Sequence, residues 1–313
     1  MTLTKTMYFY GPVLSRRLGF SLGIDLFSKK TCNFSCIYCQ LGKTPKKRIR
    51  RISQINWTEF KKELRNILKK NLKIDCFTLS GSGEPTLHKN LDKIISLIKK
   101  ETKNKYPICV ITNSSLLYKK EIRKELRKAE IIIPSLDAAS FNLFKKINNP
   151  HPQIKLSKVI EGLINLRREF KGKIYLEIML IKGLNDGLKE IEKLKKIIEK
   201  INPDKVHLNL PIRPTPEKVN LPSQNKLEKI KKIIGDKAFL VTPSLKAKQY
   251  KDSLKIKEKI LEFLKRRPAN LEELSICLGE NSSLISKHLS MLLKEKRIRK
   301  RFHKGKLNFL IND

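Results

Sequence analysis

Long apolar runs are missing from this chain of 313 residues. Nowhere do about 18 apolar residues stand in succession, which excludes a membrane-spanning helix. Met1-Thr2-Leu3-Thr4-Lys5-Thr6 leads into Tyr8-Phe9-Tyr10-Gly11-Pro12 without the charged, apolar and small-residue order of a secretory leader. A soluble, cytoplasmic protein without a membrane partner is therefore expected. Acidic residues are scarce, with 30 Asp and Glu against 69 Lys and Arg, a net charge of +39. Such a surface attracts polyanions over about 8 Å at physiological salt, and nucleic acid is the obvious candidate. A compositional origin stands beside it, because most lysines are interspersed with apolar residues at helical spacing. Cysteine is sparse too. Six cysteines in a long chain without secretory features do not make a disulfide framework, and where they cluster in a reducing compartment they mark a metal site.

Such a cluster is present. Cys32, Cys36 and Cys39 fall within eight residues, and no fourth Cys or His follows nearby. Cys76, Cys109 and Cys277 sit in apolar surroundings, where free cysteine acts as a small hydrophobe. Thiolates suit zinc or iron-sulfur clusters, which take four protein ligands when purely structural. Three donors leave one corner open to a small molecule. The competing reading is a zinc site completed from afar by His88, His151 or His207.

Around this loop, strand-length apolar runs at 20–26, 75–79, 108–112, 130–136, 174–181, 206–210 and 239–241 alternate with helical patterns. The helical patterns are at 58–71, 91–100, 119–129, 157–170, 188–201 and 224–234. That alternation predicts parallel crossovers in an α/β fold, a partial (β/α)6 barrel with too few units to close an eight-fold one. Chemistry in such barrels collects beyond the C-terminal strand ends. The cysteine loop lies there, as do Ser80-Gly81-Ser82-Gly83-Glu84-Pro85-Thr86, Thr112-Asn113-Ser114-Ser115 and Pro134-Ser135-Leu136-Asp137. Three cationic features are ambiguous. Arg16-Arg17 precedes the first strand and comes near the metal if the fold gathers the strand ends, and Arg213 stands among prolines stiff enough to present it to substrate; for both, solvated side chains are the favoured expectation. The basic run 43–51 either lines the approach of an anionic substrate or guards an exposed edge.

The spacing Cys32-x3-Cys36-x2-Cys39, with Tyr38 before the last cysteine, resembles the radical S-adenosylmethionine (SAM) enzymes. The resemblance implies three irons of a 4Fe-4S cluster held by these cysteines. The fourth iron would be chelated by SAM, whose sulfonium is split by one electron to give a 5′-deoxyadenosyl radical, so an external electron donor is implied as a partner. The family's Gly-Gly-Glu-Pro motif, which receives the methionine amino group, reads Ser82-Gly83-Glu84-Pro85 here. By position, Asn113 and Ser135 would face the ribose with Asp137 beside them, and Met179 to Ile181, centred on Leu180, would back the adenine. The stretch Tyr10 to Gly19, Cys39-Gln40-Leu41-Gly42 and Ser80 to Leu87 narrow the likeness to a poorly characterised family related to wyosine-tRNA synthases, over roughly residues 8 to 245. Those synthases hold a second cluster on cysteines ahead of the main loop, and no cysteine precedes Cys32.

The remainder reads as a linker at 246–256 and a small domain at 257–313. A helix at 256–266 is followed by an Asn270 cap with Glu273 three residues on, and a second helix runs to Gly279. Asn281 then caps a third helix with the stripe Leu284, Ile285, Leu289, Leu292 and Leu293. A basic hairpin turns at Lys304-Gly305. Three helices and a cationic hairpin resemble a winged helix-turn-helix, which implies contact with nucleic acid, tRNA or DNA, or alternatively with protein. The expected activity is SAM cleavage directed at a large substrate such as tRNA. The alternatives are a peptide- or protein-modifying or activating radical enzyme, and a DNA-binding redox regulator.

Overall fold

The computed structural model describes residues 7–70, 72–241, 256–280 and 282–312. Strand β1 (Phe9–Ser15) turns back antiparallel onto β2 (Gly19–Ile24). From β2 onward every pairing is parallel, through β3 (Cys76–Leu79), β4 (Ile108–Thr112), β5 (Ile131–Pro134), β6 (Lys173–Met179), β7 (Lys205–Asn209) and β8 (Ala238–Leu240). The eight strands lie in sequential order, with β1 and β8 at the two edges. The sheet is thus a partial barrel with one antiparallel strand added at its start.

Helices α1 (Trp57–Leu68), α2 (Leu91–Glu101), α3 (Lys120–Leu126), α4 (Phe141–Asn148), α5 (Leu156–Glu169), α6 (Leu188–Ile201) and α7 (Gln224–Ile234) carry the chain between strands. Their lysine-rich outer faces and Ile/Leu inner faces give the amphipathic pattern that docks a helix on a sheet. The inner stripe of α6 is Ile191, Leu194, Ile198 and Ile201, all buried. Strands β3 and β4 are buried along almost their whole length because both faces are covered, one by helices and the other by the barrel interior. Two elements lie outside the predicted set. Pro12 disguises β1, yet an edge strand tolerates a residue that cannot donate to the ladder. Helix α4 buries only Phe144, Ile147 and Asn148, a stripe too short to register as a period.

The C-terminal segment forms α8 (Ile256–Leu264), α9 (Leu271–Leu278), α10 (Ser282–Lys294) and a hairpin of β9 (Ile298–His303) and β10 (Lys306–Ile311). Asn270 caps α9 by accepting from Glu273 N at 2.8 Å, and Gly279 ends it in the left-handed conformation. Lys304 and Gly305 both have positive φ, as a two-residue hairpin turn requires. The linker, but for Ile256, and the Asn281 cap lie outside the described residues. This unit is not freestanding: Val13 of β1 is part of its apolar core, beside Ile260, Phe263 and Ile285. Arg266 meets Asp25 at 3.3 Å, and Lys304 donates to Pro211 O at 3.0 Å.

His207 of β7 is buried against Tyr175, and desolvation, reinforced by Arg17 and Lys205, lowers its pKa from 6.5 to about 4. The unfolded chain takes up this proton as pH falls through 6.5 while the folded chain refuses it until about 4, so stability falls across that window. His207→Leu is expected to lose less stability than the parent between pH 7 and pH 4.5, by about 2–3 kcal/mol in urea titrations.

Candidate active site

The cysteine loop leaves the C-terminal end of β2 and is tied down on both flanks by main-chain hydrogen bonds. On one side Thr31 N donates to Ser82 O and Glu84 N donates to Thr31 O, each at 2.9 Å, forming a parallel bridge to Gly83. On the other, Ser35 N reaches Asn148 O at 3.1 Å, Ile37 N reaches Ile147 O at 3.0 Å and His151 N reaches Asn33 O at 2.8 Å. The loop after β3 and the end of α4 thus fix the two halves of the cysteine stretch, and Cys39 N folds the last turn back onto Cys36 O at 3.1 Å.

The approach at Gly83 is tight because a Cβ there would stand 2.2 Å from Thr31 O and 2.6 Å from Phe27 Cδ2. Gly83→Ala is expected to part the bridge. Overpacking and two lost hydrogen bonds cost about 2–4 kcal/mol, read as a lower melting temperature, and the iron content of the purified protein should fall with it.

The three thiols are surrounded by donors. Cys32 Sγ receives Phe34 N at 3.4 Å and Asn113 Nδ2 at 3.5 Å. Cys36 Sγ receives Asn148 Nδ2 at 3.6 Å, and Cys39 Sγ receives Lys30 Nζ at 3.2 Å. Donors aimed at sulfur stabilise thiolate ligands and tune a cluster. Burial works in the other direction, pushing the Cys32 thiol up to about 12 and Cys36 well above its ordinary value. Metal binding by these thiols would therefore be coupled to their deprotonation. Among the described residues no three His, Cys, Asp or Glu side chains are grouped to hold one metal ion. His88, His151 and His207 all lie off the cavity wall. Three sulfurs on one loop fit a group with several irons, one thiolate to each.

Beside the loop, Glu84 is buried and its carboxylate is held by four protein donors, only one of them on Oε2. Oε1 accepts from Thr86 N at 3.0 Å and from the Thr86 and Thr112 hydroxyls at 2.6 Å each, and Oε2 accepts from Asn113 N at 2.7 Å. Burial raises its pKa and the four hydrogen bonds pull it back. Asn113 is held in turn by Asn33 Oδ1 at 2.7 Å. Ser135 is set beside it by Ser135 N donating to Thr112 O at 2.9 Å.

A cavity of about 470 Å³ opens here. Of the sequence-predicted site residues, Cys32, Cys36, Cys39, Tyr38, Gly83, Glu84, Asn113 and Ser135 line it, joined by Met179 at the end of β6. Ser82, Asp137 and Leu180 do not. The Ser82 hydroxyl turns away to Asp25 Oδ2 at 2.6 Å, and Leu180 is packed in the apolar core. Asp137 is a buried tie, accepting from the Tyr38 hydroxyl, from Asn148 Nδ2 at 2.6 Å and from Met179 N at 2.8 Å. It secures the aromatic next to Cys39 and the strand end behind it.

The arginines expected in solvent are in the wall instead. Arg16, Arg17 and Arg213 all face the cavity, because the β1–β2 turn and the loop after β7 fold over the strand ends. Residues 43–51 do not line it; Arg51 is clasped by Glu125 at 2.7 and 2.6 Å and by the carbonyls of Thr86 and His88. A further part of the wall comes from the C-terminal unit, through Arg266, Arg267, Asn270, Glu273 and Asn308. Nothing local in the sequence announces this, since the unit's own helices and hairpin account for its apolar pattern.

Comparison with known proteins matches residues 28–198 to the family model of the Radical SAM superfamily. The chain is 40% identical to a Brachyspira hyodysenteriae protein named GTPase Obg over 98% of its own length, spanning 46% of that protein. It is 31% identical to a UPF0026 protein of Methanocaldococcus jannaschii, covering 97% of this chain and 95% of that one. A radical SAM methyltransferase from Sphaerobacter thermophilus shares the fold at a TM-score of 0.51 and 18% identity, over 70% of this chain and 65% of that chain.

Proposed function

Since the chain belongs to the radical SAM superfamily, we propose that it cleaves SAM reductively and directs the resulting 5′-deoxyadenosyl radical at a large substrate, tRNA being the polyanion that suits its charge. The observation that carries this is the Thr31–Gly83 bridge, which puts the cysteine loop and the Gly83-Glu84 turn side by side in one cavity. When bound on Cys32, Cys36 and Cys39, a 4Fe-4S cluster would supply, from an external donor, the one electron that splits the sulfonium. The chain's own residues do the rest. Glu84 presents a carboxylate to the methionine ammonium, and the four hydrogen bonds from the protein hold it in place. Asn113 and Ser135 offer polar groups for the ribose, and Met179 offers an apolar backing for the adenine. Tyr38, fixed through Asp137, closes the wall beside Cys39. The C-terminal unit, read as a winged helix over residues 257–313, covers the strand ends, which keeps water from a reactive carbon radical.

Anaerobic reconstitution with iron and sulfide, reduction, and measurement of 5′-deoxyadenosine and methionine test this. Both products are expected in equal amounts. An intact cluster that forms neither would overturn the enzymatic reading in favour of a redox sensor. Among the described residues no helix is long and apolar enough to cross a membrane.

A further inference from the structure

The cavity holds more positive charge than cysteine chemistry requires. Arg17 is paired with Glu177, and Arg266 with Glu262 at 2.9 Å and Asp25 at 3.3 Å. Three other arginines are not neutralised in this way. Arg213 and Arg267 share a single oxygen, Oε1 of Glu273, at 2.6 and 2.8 Å, and the Nε of each is buried without a hydrogen-bond partner. Among the described residues Arg16 donates to neutral acceptors alone, Val241 O at 3.2 Å and Asn209 Oδ1 at 3.1 Å. Lys306 and Glu272 also line the cavity and offset one another in charge. Three guanidinium groups thus face one carboxylate. Desolvation, and the proximity of Arg213, Arg17 and Arg267, lower the pKa of Arg16 to about 9.

Grouping like charges in a half-buried wall is unfavourable unless an anion occupies the space between them. We propose that Arg16, Arg213 and Arg267 form a phosphate-binding subsite that receives a phosphate of the substrate within the same cavity as the cysteines. The three come from the β1–β2 turn, the loop after β7 and the α8–α9 connection. A planar carboxylate is satisfied by one guanidinium fork, whereas donors arriving from three chain segments suit the several oxygens of a tetrahedral anion. Glu273, from the C-terminal unit, holds Arg213 and Arg267 in place until the phosphate arrives. One wall of the subsite is therefore supplied by the unit that would otherwise be taken for a remote docking domain. This names the substrate class for the radical chemistry proposed above and rests on that reading for its role, but not for its detection.

The test is calorimetric titration of the full-length, cluster-reconstituted protein with inorganic phosphate at constant ionic strength, chloride being exchanged for phosphate. Binding of one phosphate is expected, weakened at least tenfold in Arg16→Gln and in Arg267→Gln. Lys232→Gln, an exposed charge on α7, should titrate like the parent, and thermal melts confirm that each variant is folded. Arg16→Lys, which keeps the charge but not the fork, should fall between parent and Arg16→Gln. Equal phosphate affinity in the parent and both glutamine variants would overturn the proposal. So would glutarate binding as tightly as phosphate at the same sites, since the natural anion would then be a carboxylate. Phosphate binding is measured without SAM turnover, and deoxyadenosine formation is measured without phosphate, so either reading can fail while the other stands.

Discussion

Cys36→Ala is expected to remove the cluster and with it all 5′-deoxyadenosine formation, while leaving the fold in place. Loss of an outer-shell partner of a metal ligand costs about 10–100-fold in affinity, and loss of a ligand itself from a three-thiolate set should exceed that. Iron content and the visible absorbance of the reconstituted protein report the first effect, and product formation after reduction the second. The fold should persist because the loop is held by Ser35, Ile37 and Thr31 through their backbone amides, none of which involves the Cys36 side chain. Alanine removes a half-buried thiol whose side-chain neighbours Asn148 and Tyr38 both keep Asp137 as an acceptor. A melting temperature within a few degrees of the parent, together with absent iron, is the expected pair of results. Retained cluster absorbance would mean that another residue can take the place of Cys36.

The second large effect is on SAM binding. Glu84→Gln preserves shape but removes the charge that would meet the methionine ammonium, and a hydrogen bond to a charged group contributes about 1.5–3 kcal/mol. Affinity for SAM should fall roughly 100-fold. The amide oxygen can keep the three donors at Oε1, from Thr86 N and the Thr86 and Thr112 hydroxyls. The amide NH2 then confronts Asn113 N, which donates to Oε2 in the parent. That donor-to-donor conflict costs about 1–3 kcal/mol of stability. Calorimetric SAM titration and urea unfolding separate the two losses. Sinefungin, which carries an amine in place of the sulfonium, should weaken in parallel, since Glu84 is assigned to the amino-acid end of the ligand.

What could be read in the sequence was local. Cys32, Cys36 and Cys39 stand within one loop, and Gly83-Glu84 within one turn, so spacing alone placed them at successive strand ends. The strands β3 to β8 and most helices follow from apolar periods of ordinary length. Arg16 and Arg213 stood out singly, but their convergence with Arg267 escaped because the three are separated by some 250 residues of chain and meet only when the C-terminal unit closes over β1. A charged residue shows by itself no sign of being buried, and the bias toward solvent is the right prior until a fold contradicts it. Asp137 shows the converse. Its position at a strand end suggested a ligand contact, but three protein donors occupy its oxygens. The strand β1 was hidden by Gly11-Pro12, residues that read as punctuation and here belong to an edge.

The clasp on the cysteine loop has a consequence for durability in air. Exposed clusters corrode under oxygen, and a loop whose shape depended on its iron would collapse at each loss. Here carbonyls and amides from Ser82, Thr31, Ile147 and Asn148 keep the mould, so fresh iron and sulfide would be recast in it without the chain passing through an unfolded state.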